Sequence, residues 1–247
     1  MVISLQTSKI HASFVVSSHQ LCMASQVFRA MLGSKSKFAE AVALRASKSS
    51  GSTSLDDLYR LDVFEHDATA LAVVLYVLHA RADRIPETIA FEELMEVAYV
   101  CDYYDCAVAM KPWDKGWMEQ WREYVQKPGY EGWLFLAWVF KDQEVFGTLT
   151  EKFSRAAVFE EAEFAVVVKT DPREIARMDE HLPQAIVDAM ADQRIKACED
   201  IVRACRDLYN SYDDDSTHKC MSKDAEQRRD CDQFIFGGLH KGFRKLH

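Results

Sequence analysis

Proline and glycine are scarce in this chain, with five and nine occurrences among 247 residues. That excludes collagen-like, linker-rich and largely disordered classes. Positive charge is also in deficit: 30 Lys+Arg stand against 39 Asp+Glu, a net charge of −9. Such a field repels phosphate backbones and anionic headgroups, so neither nucleic acid nor a membrane is an expected partner. No apolar run is long enough to cross a bilayer; the longest, Ala68 to Leu78, is interrupted by Thr69. Met1 to Leu5 carry no basic lead, and polar Gln6 to Lys9 follow at once, unlike a secretory leader.

Catalytic motifs are missing too. There is no Gly-x-Ser-x-Gly elbow, no His-Glu-x-x-His, no phosphate loop and no dinucleotide fingerprint; Gly237, Gly238 and Gly242 lack the needed spacing. Paired carboxylates such as Asp56-Asp57 and Glu160-Glu161 sit in ordinary surface contexts, so the expectation is a protein without enzymatic activity or cofactor. The seven cysteines, an odd number in a chain long enough to need no staples, read as reduced thiols of a cytoplasmic or nuclear protein. Structural zinc is announced by close Cys pairs, and none is present. Cys101 and Cys106 are five apart, and Cys198 and Cys205 seven apart on one apolar stripe, where Cys reads as a small core residue. His218, Cys220 and Cys231 are the one set that offers three ligands, against the reading of buried thiols beside the last helix.

What is there is a composition 49 % apolar and 28 % charged, enough to fill a core. Val2 to Leu5 and Ala12 to Ser17 predict two short neighbouring strands. Ser17-Ser18 caps a helix with a stripe at Leu21, Ala24, Phe28, Met31 and Leu32, ended by Gly33. The Ser- and Lys-rich stretch from Ser34 to Ser54 predicts a surface loop. Tyr59, Leu61 and Val63 alternate with charged residues as in a half-buried strand. A central helix follows through Ala68, Leu71, Leu75 and Leu78, then a helix from Phe91 to Cys106, then a Trp-bearing helix restarted at Pro112.

Lys127-Pro128-Gly129 marks a boundary, beyond which every segment reads as helix. The stripes there are Trp133, Ala137 and Phe140, then Phe146, Leu149 and Phe153, then a long helix after Pro183 whose buried face would hold Ile186, Met190, Cys198, Ile201, Val202, Cys205 and Leu208. Ser211 to Cys220 reads as a charged loop and Gln233 to Leu239 as a last short helix. The tryptophans recur at helical spacing and predict core packing rather than a stacking platform.

Several of these pieces together resemble the BTB/POZ domain in its compact fungal form with a helical C-terminal extension. The resemblance rests on Val15-Val16-Ser17-Ser18 leading into Leu21-x-x-x-Ser25-x-x-Phe28-x-x-Met31, on Leu78-His79-Ala80-Arg81, on Glu93-Leu94 with Ala98, on Tyr103-Tyr104-Asp105-Cys106, on Lys111-Pro112-Trp113, and on Trp133 to Phe140. It covers about residues 12 to 147, each piece being generic alone and specific in joint order. Gln20 and Gln26 stand where the family commonly has His and Pro. The resemblance implies an α+β fold: a BTB/POZ-like domain over 1–126, with a small sheet of short strands covered by helices, then an all-α extension over 127–247 packed on it. It further implies a protein–protein interaction module that takes protein partners: a substrate adaptor on a cullin scaffold of ubiquitin ligases, or alternatively a homodimer or larger homo-oligomeric scaffold with no ligase link. Cullin-binding members carry a hydrophobic-x-Glu element in the loop after the second strand-helix unit; here Phe38-Ala39-Glu40, seven residues after Met31, matches it, making Phe38 and Glu40 the implied partner-binding residues. The other reading has Phe38 packing back beneath its own loop.

Overall fold

The computed structural model describes residues 1–6, 11–49, 57–64, 66–156, 158–160, 163–165, 167–171, 174–177, 182–213 and 219–244. The fold is α+β and mostly helical. Packing divides the chain into two units, one comprising Met1–Phe153 with Val167–Leu182, the other Ser154–Val166 with Pro183–His247.

In the first unit, β1 (Val2–Gln6) pairs antiparallel with β2 (His11–Val15) and parallel with β3 (Arg60–Phe64), giving the order β2-β1-β3. The alternation expected around Leu61 and Val63 holds: both are buried, and Arg60, Asp62 and Phe64 are exposed. The parallel β1–β3 pair needs a long crossover, which three helices supply. They are α1 (Ser18–Ala24), α2 (Gln26–Leu32) and α3 (Ala39–Ser49).

The single helix expected after Ser17 is broken in two. Ser25 leaves helical geometry at φ −131°, its hydroxyl caps α2 by accepting from the Phe28 amide at 2.9 Å, and the same hydroxyl donates to the Tyr104 carbonyl. Phe28 then stacks on Tyr104 at 4.3 Å between ring centroids. Gly33 ends α2 without a left-handed turn, at φ −60°. Glycine is required there because a Cβ would collide with the Arg29 carbonyl oxygen. The loop expected over 34–54 is in part a helix: α3 buries Ala41 and Leu44, and the alanines of this segment outweigh its serines and lysines. Of the low-complexity centre expected at Ser47 to Ser54, Ser47 to Ser49 form the end of α3, and 50–54 lie outside the described residues.

Asp67 starts α4 (Ala68–Leu78) by accepting from the Thr69 and Ala70 amides, both at 2.9 Å. This helix is central as expected, with seven of its residues buried. At its end the His79 ring bridges outward: Nδ1 donates to the Leu75 carbonyl at 2.8 Å and Nε2 accepts from the Ser17 amide at 2.9 Å, tying α4 to the start of α1. α5 (Phe91–Tyr103) packs beside α4 and stops at Asp105, whose φ is +46°. The Trp-bearing helix is shorter than expected. α6 spans only Asp114–Glu119, flanked by 3-10 turns, and its length is traded for side-chain anchors. The Trp117 and Trp121 ring N–H groups donate to the carbonyls of Pro86 and Ile89, each at 2.9 Å.

α7 (Trp133–Phe140) and α8 (Gln143–Ala156) follow Gly129, which has φ +88°. Phe91 is ringed by Trp121, Tyr130 and Trp133 at centroid distances of 6.0, 4.9 and 6.3 Å, so aromatics from both sides of the expected 126/127 boundary share one cluster. Packing consequently places the division after Phe153, not after Gln126. At the start of α8, Asp142 accepts from the Val145 amide at 3.1 Å and forms an ion pair with Arg122. Burial alone would raise the Asp142 carboxyl, but the Arg122 hydrogen bond and backbone N–H groups outweigh it and hold it below its ordinary value. A carboxylate with a depressed folded pKa contributes stability above its unfolded pKa and loses it as pH falls through the folded one. Asp142→Ala should therefore cost about 1 kcal/mol at neutral pH. Urea unfolding of both proteins should show that gap at pH 7 and a smaller one at pH 3.

The second half is not all-α. Backbone pairing joins β4 (Val158–Glu160) to β5 (Glu163–Ala165) and β6 (Val167–Asp171) to β7 (Glu174–Arg177), each antiparallel. The segment is rich in Val and Phe, residues that favour strands over helix. In the second unit, α9 runs Gln184–Asp213 and α10 runs Ala225–Phe243, well beyond the short helix expected from Gln233. Asp224 caps α10 by accepting from the Glu226 and Gln227 amides at 2.8 and 3.2 Å. Tyr209 joins the pair, with its ring 5.1 Å from Phe236 and its hydroxyl 3.0 Å from His240 Nδ1. The charged loop expected from Ser211 is helix as far as Asp213, and 214–218 lie outside the described residues.

The stripe expected to be buried along α9 is buried only at its start. Met190 is enclosed and Ile186 half-buried, whereas Ile201 and Val202 are 63 % and 54 % exposed, and Cys198, Cys205 and Leu208 are exposed as well. Helical periodicity puts these residues on one face, and no described element covers that face beyond Met190.

Candidate functional site

Phe38 stands immediately before α3 and is 60 % exposed, so it does not pack beneath its own segment. Its carbonyl accepts from the Val42 amide at 3.1 Å, the first bond of the helix, and its amide donates to Ser36 Oγ at 3.2 Å. Arg45, two turns further on, reaches back to the turn before Phe38. Its Nη1 donates to the carbonyls of Ser34 and Ser36 at 3.1 and 3.0 Å. A bare loop would spread an aromatic over many conformations, and this clamp fixes it relative to a helix anchored by Ala41 and Leu44. Glu40 lies in the first turn of α3, where a carboxylate complements the helix dipole.

Glu40 also lines an open cleft of about 1080 Å³. One wall is the strand run Leu61 to Phe64; the other is α5, with Glu96, Tyr99, Asp102 and Tyr103, and Phe135 of α7 closes the base. Two aromatics stand out into solvent, Phe64 at 58 % and Tyr103 at 64 % exposure. His66 meets the Tyr103 ring edge-on at 5.0 Å. Among the described residues four carboxylates line the cleft (Glu40, Asp62, Glu96 and Asp102), and no Lys or Arg does. Burial pushes the Tyr59 phenol upward, reinforced by Glu40 and Asp62, and pushes the Asp102 carboxyl upward against the opposing charge of Lys141. The Lys141 ammonium sits 3.9 Å from the centroid of the Trp138 ring. Among the described residues no group of three His, Cys, Asp or Glu could hold a metal ion, so these carboxylates are spread along the cleft rather than focused on a point.

Of the one candidate ligand set, His218 lies outside the described residues. Cys220 and Cys231 meet in a thiol hydrogen bond that raises the Cys231 thiol. Cys231, like Cys198 and Cys205, is exposed, which corrects the reading of these thiols as core residues. Cys101 and Cys106 are buried, and burial pushes the Cys101 thiol well up. Alkylation follows thiolate fraction and access. Iodoacetamide should thus label Cys198 and Cys205 first, Cys231 more slowly because its thiol is raised, and Cys101 and Cys106 only in denaturant, as read by peptide mass spectrometry. Early labelling of Cys101 would contradict this core.

Sequence reasoning singled out Phe38 and Glu40 but missed the cleft. Tyr103 had entered only as part of a helix, Asp62 only as a charged residue alternating along a strand, and Phe64 not at all. Their signal is the pairing of acidic and aromatic residues on exposed positions of β3 and α5, which becomes a site only when the two elements face each other. No helix among the described residues is long and apolar enough to cross a membrane. No family model, curated protein or solved structure matches the chain.

Proposed function

We propose that this chain is a non-enzymatic interaction module of the BTB/POZ kind, a substrate adaptor that docks on a cullin of a ubiquitin ligase through Phe38 and Glu40. The observation that carries this reading is the presentation of Phe38: a large aromatic held in solvent at a helix start, with an arginine clamp behind it and an acidic residue two positions on. A protein does not gain folding stability from an aromatic held outward, whereas an interface gains most from such an anchor. The small sheet β2-β1-β3 with helices between its parallel strands supports the same reading, as does the sequence resemblance over residues 12 to 147. A cytoplasmic or nuclear location belongs to it, on the ground of an odd number of cysteines in a chain long enough to need no staples. Mixing the purified chain with a purified cullin and following co-elution on size exclusion tests it. A joint peak supports the adaptor, and two separate peaks rule it out.

One observation favours the homo-oligomeric scaffold instead. α9 exposes Ile201, Val202 and Leu208, which helical spacing places on one face, and α10 exposes Phe234 at 83 %. Light scattering on the chain alone decides between them, since a scaffold has a mass that is a multiple of 28.3 kDa without any cullin present.

A further inference from the structure

The cleft touches four consecutive residues of β3, from Leu61 to Phe64. Side chains alternate along a strand, and Leu61 and Val63 point into the core at 7 % exposure each. A cleft that meets all four residues therefore runs along the edge of the strand and reaches its backbone. β3 is an outer strand of the sheet. The Val2 amide donates to the Tyr59 carbonyl at 2.8 Å, and Val2 lies opposite Arg60 in the parallel register. In a parallel ladder alternate residues bond the neighbouring strand. Tyr59, Leu61 and Val63 thus turn their amides and carbonyls toward β1, and Arg60, Asp62 and Phe64 turn theirs outward. Among the described residues no backbone hydrogen bond to another element reaches those outward groups.

An open strand edge is a template for one more strand. What that strand should carry is set by the walls. Glu40, Asp62, Glu96 and Asp102 give the cleft one sign of charge. Phe64 and Tyr103 offer exposed rings against which the methylene stems of Lys or Arg pack, with their cations over the ring faces. The cleft is open, and its volume is at or above the range of roughly 300–1,000 Å³ usual for small-molecule pockets, which suits a chain segment.

We propose that this cleft binds an extended segment of a partner protein with Lys or Arg at alternate positions, added as a strand on the free edge of β3. The proposal rests on the reading of the chain as an interaction module, and it names the chemistry of the segment that an adaptor would select. Backbone pairing would supply affinity and the acidic-aromatic walls selectivity.

The probe is a fluorescein-labelled octapeptide of alternating Lys and Val, compared by anisotropy with its Glu-for-Lys counterpart on the full chain. The Lys peptide should bind tighter by about tenfold or more, with the difference shrinking at high salt. Only alternate amides of an added strand face β3, so N-methylation of one alternate set should cost about tenfold and of the other less than about twofold. On the protein, Asp62→Pro removes an outward N–H that β1 does not use, a position where an edge strand tolerates proline. It should cost about tenfold in peptide affinity, and Asp62→Asn, which keeps the N–H, only about threefold, with both melting temperatures near that of the wild type. Should Asp62→Pro fail to fold, the methylated peptides on wild-type protein still decide. Equal losses for the two methylated sets, no preference for Lys over Glu, or a homodimer that Asp62→Pro dissociates would each overturn the proposal. Phe38→Ala should leave peptide binding unchanged. Absent cullin binding with intact peptide binding removes the adaptor reading alone, and intact cullin binding without peptide binding removes the strand addition alone.

Discussion

Trp133→Ala is expected to lower the unfolding free energy by about 3–5 kcal/mol, the largest single effect anticipated for this chain. The ring is fully buried at the first position of α7, in a helix where six of eight residues are enclosed. Truncation leaves a cavity against Phe91, whose other aromatic neighbours, Trp121 and Tyr130, are held by their own contacts and cannot collapse into it. The approach is close at this point as well: a Cβ on Gly132 would lie 2.7 Å from the Met95 sulfur. Trp133→Phe should cost much less than the alanine change. The indole N–H is buried without an acceptor among the described residues, so phenylalanine removes an unpaired donor along with part of the ring. Chemical denaturation followed by tryptophan fluorescence and by circular dichroism measures both variants. Coincident, strongly shifted transitions for Trp133→Ala are expected, because the residue belongs to the first unit. A loss below about 1 kcal/mol would show that residues beyond Pro128 contribute little to its core.

How much of this was legible in the sequence depends on the kind of signal. β3 and α4 were legible because period two and an apolar run constrain local geometry directly, and the structure adds only which strand lies beside which. The break at Ser25 was not. The apolar stripe from Leu21 to Leu32 passes through it without a fault, and what splits the helix is a hydroxyl bond to Tyr104, 79 residues away. α3 was hidden by composition: serines and lysines dominate its neighbourhood, while Ala41 and Leu44, three apart, carry the helical face. In α9 the stripe was read correctly as a face and wrongly as buried, since periodicity reports which residues point together and nothing about what covers them. The same limit applied to the site. Phe38 and Glu40 were found through a resemblance, whereas the cleft beside Glu40 needed β3 and α5 to be placed face to face.

Phe38→Ala should reduce affinity for a cullin by about thirtyfold, or about 2 kcal/mol, while leaving the melting temperature of the chain unchanged. The two halves of this expectation come from one number, the 60 % exposure of Phe38, which leaves little core contact to lose and much surface for a partner to bury. Leu44→Ala separates presentation from contact. Leu44 is 4 % exposed and anchors the helix that carries Phe38, so its truncation should lower the melting temperature and weaken cullin binding together. Glu40→Gln should have a smaller effect than Phe38→Ala, since a half-exposed charge at an interface rim contributes little beyond steering. A fall of several degrees in melting temperature for Phe38→Ala would show that the ring packs on its own chain.

The most direct measurement is an isothermal titration of a purified cullin into the full-length chain, with Phe38→Ala run beside the wild type. Saturable binding at one cullin per chain, weakened about thirtyfold by the substitution, is the result expected of a cullin adaptor anchored at Phe38. Absence of heat and of complex with the wild-type chain, under conditions where it is folded, would contradict it.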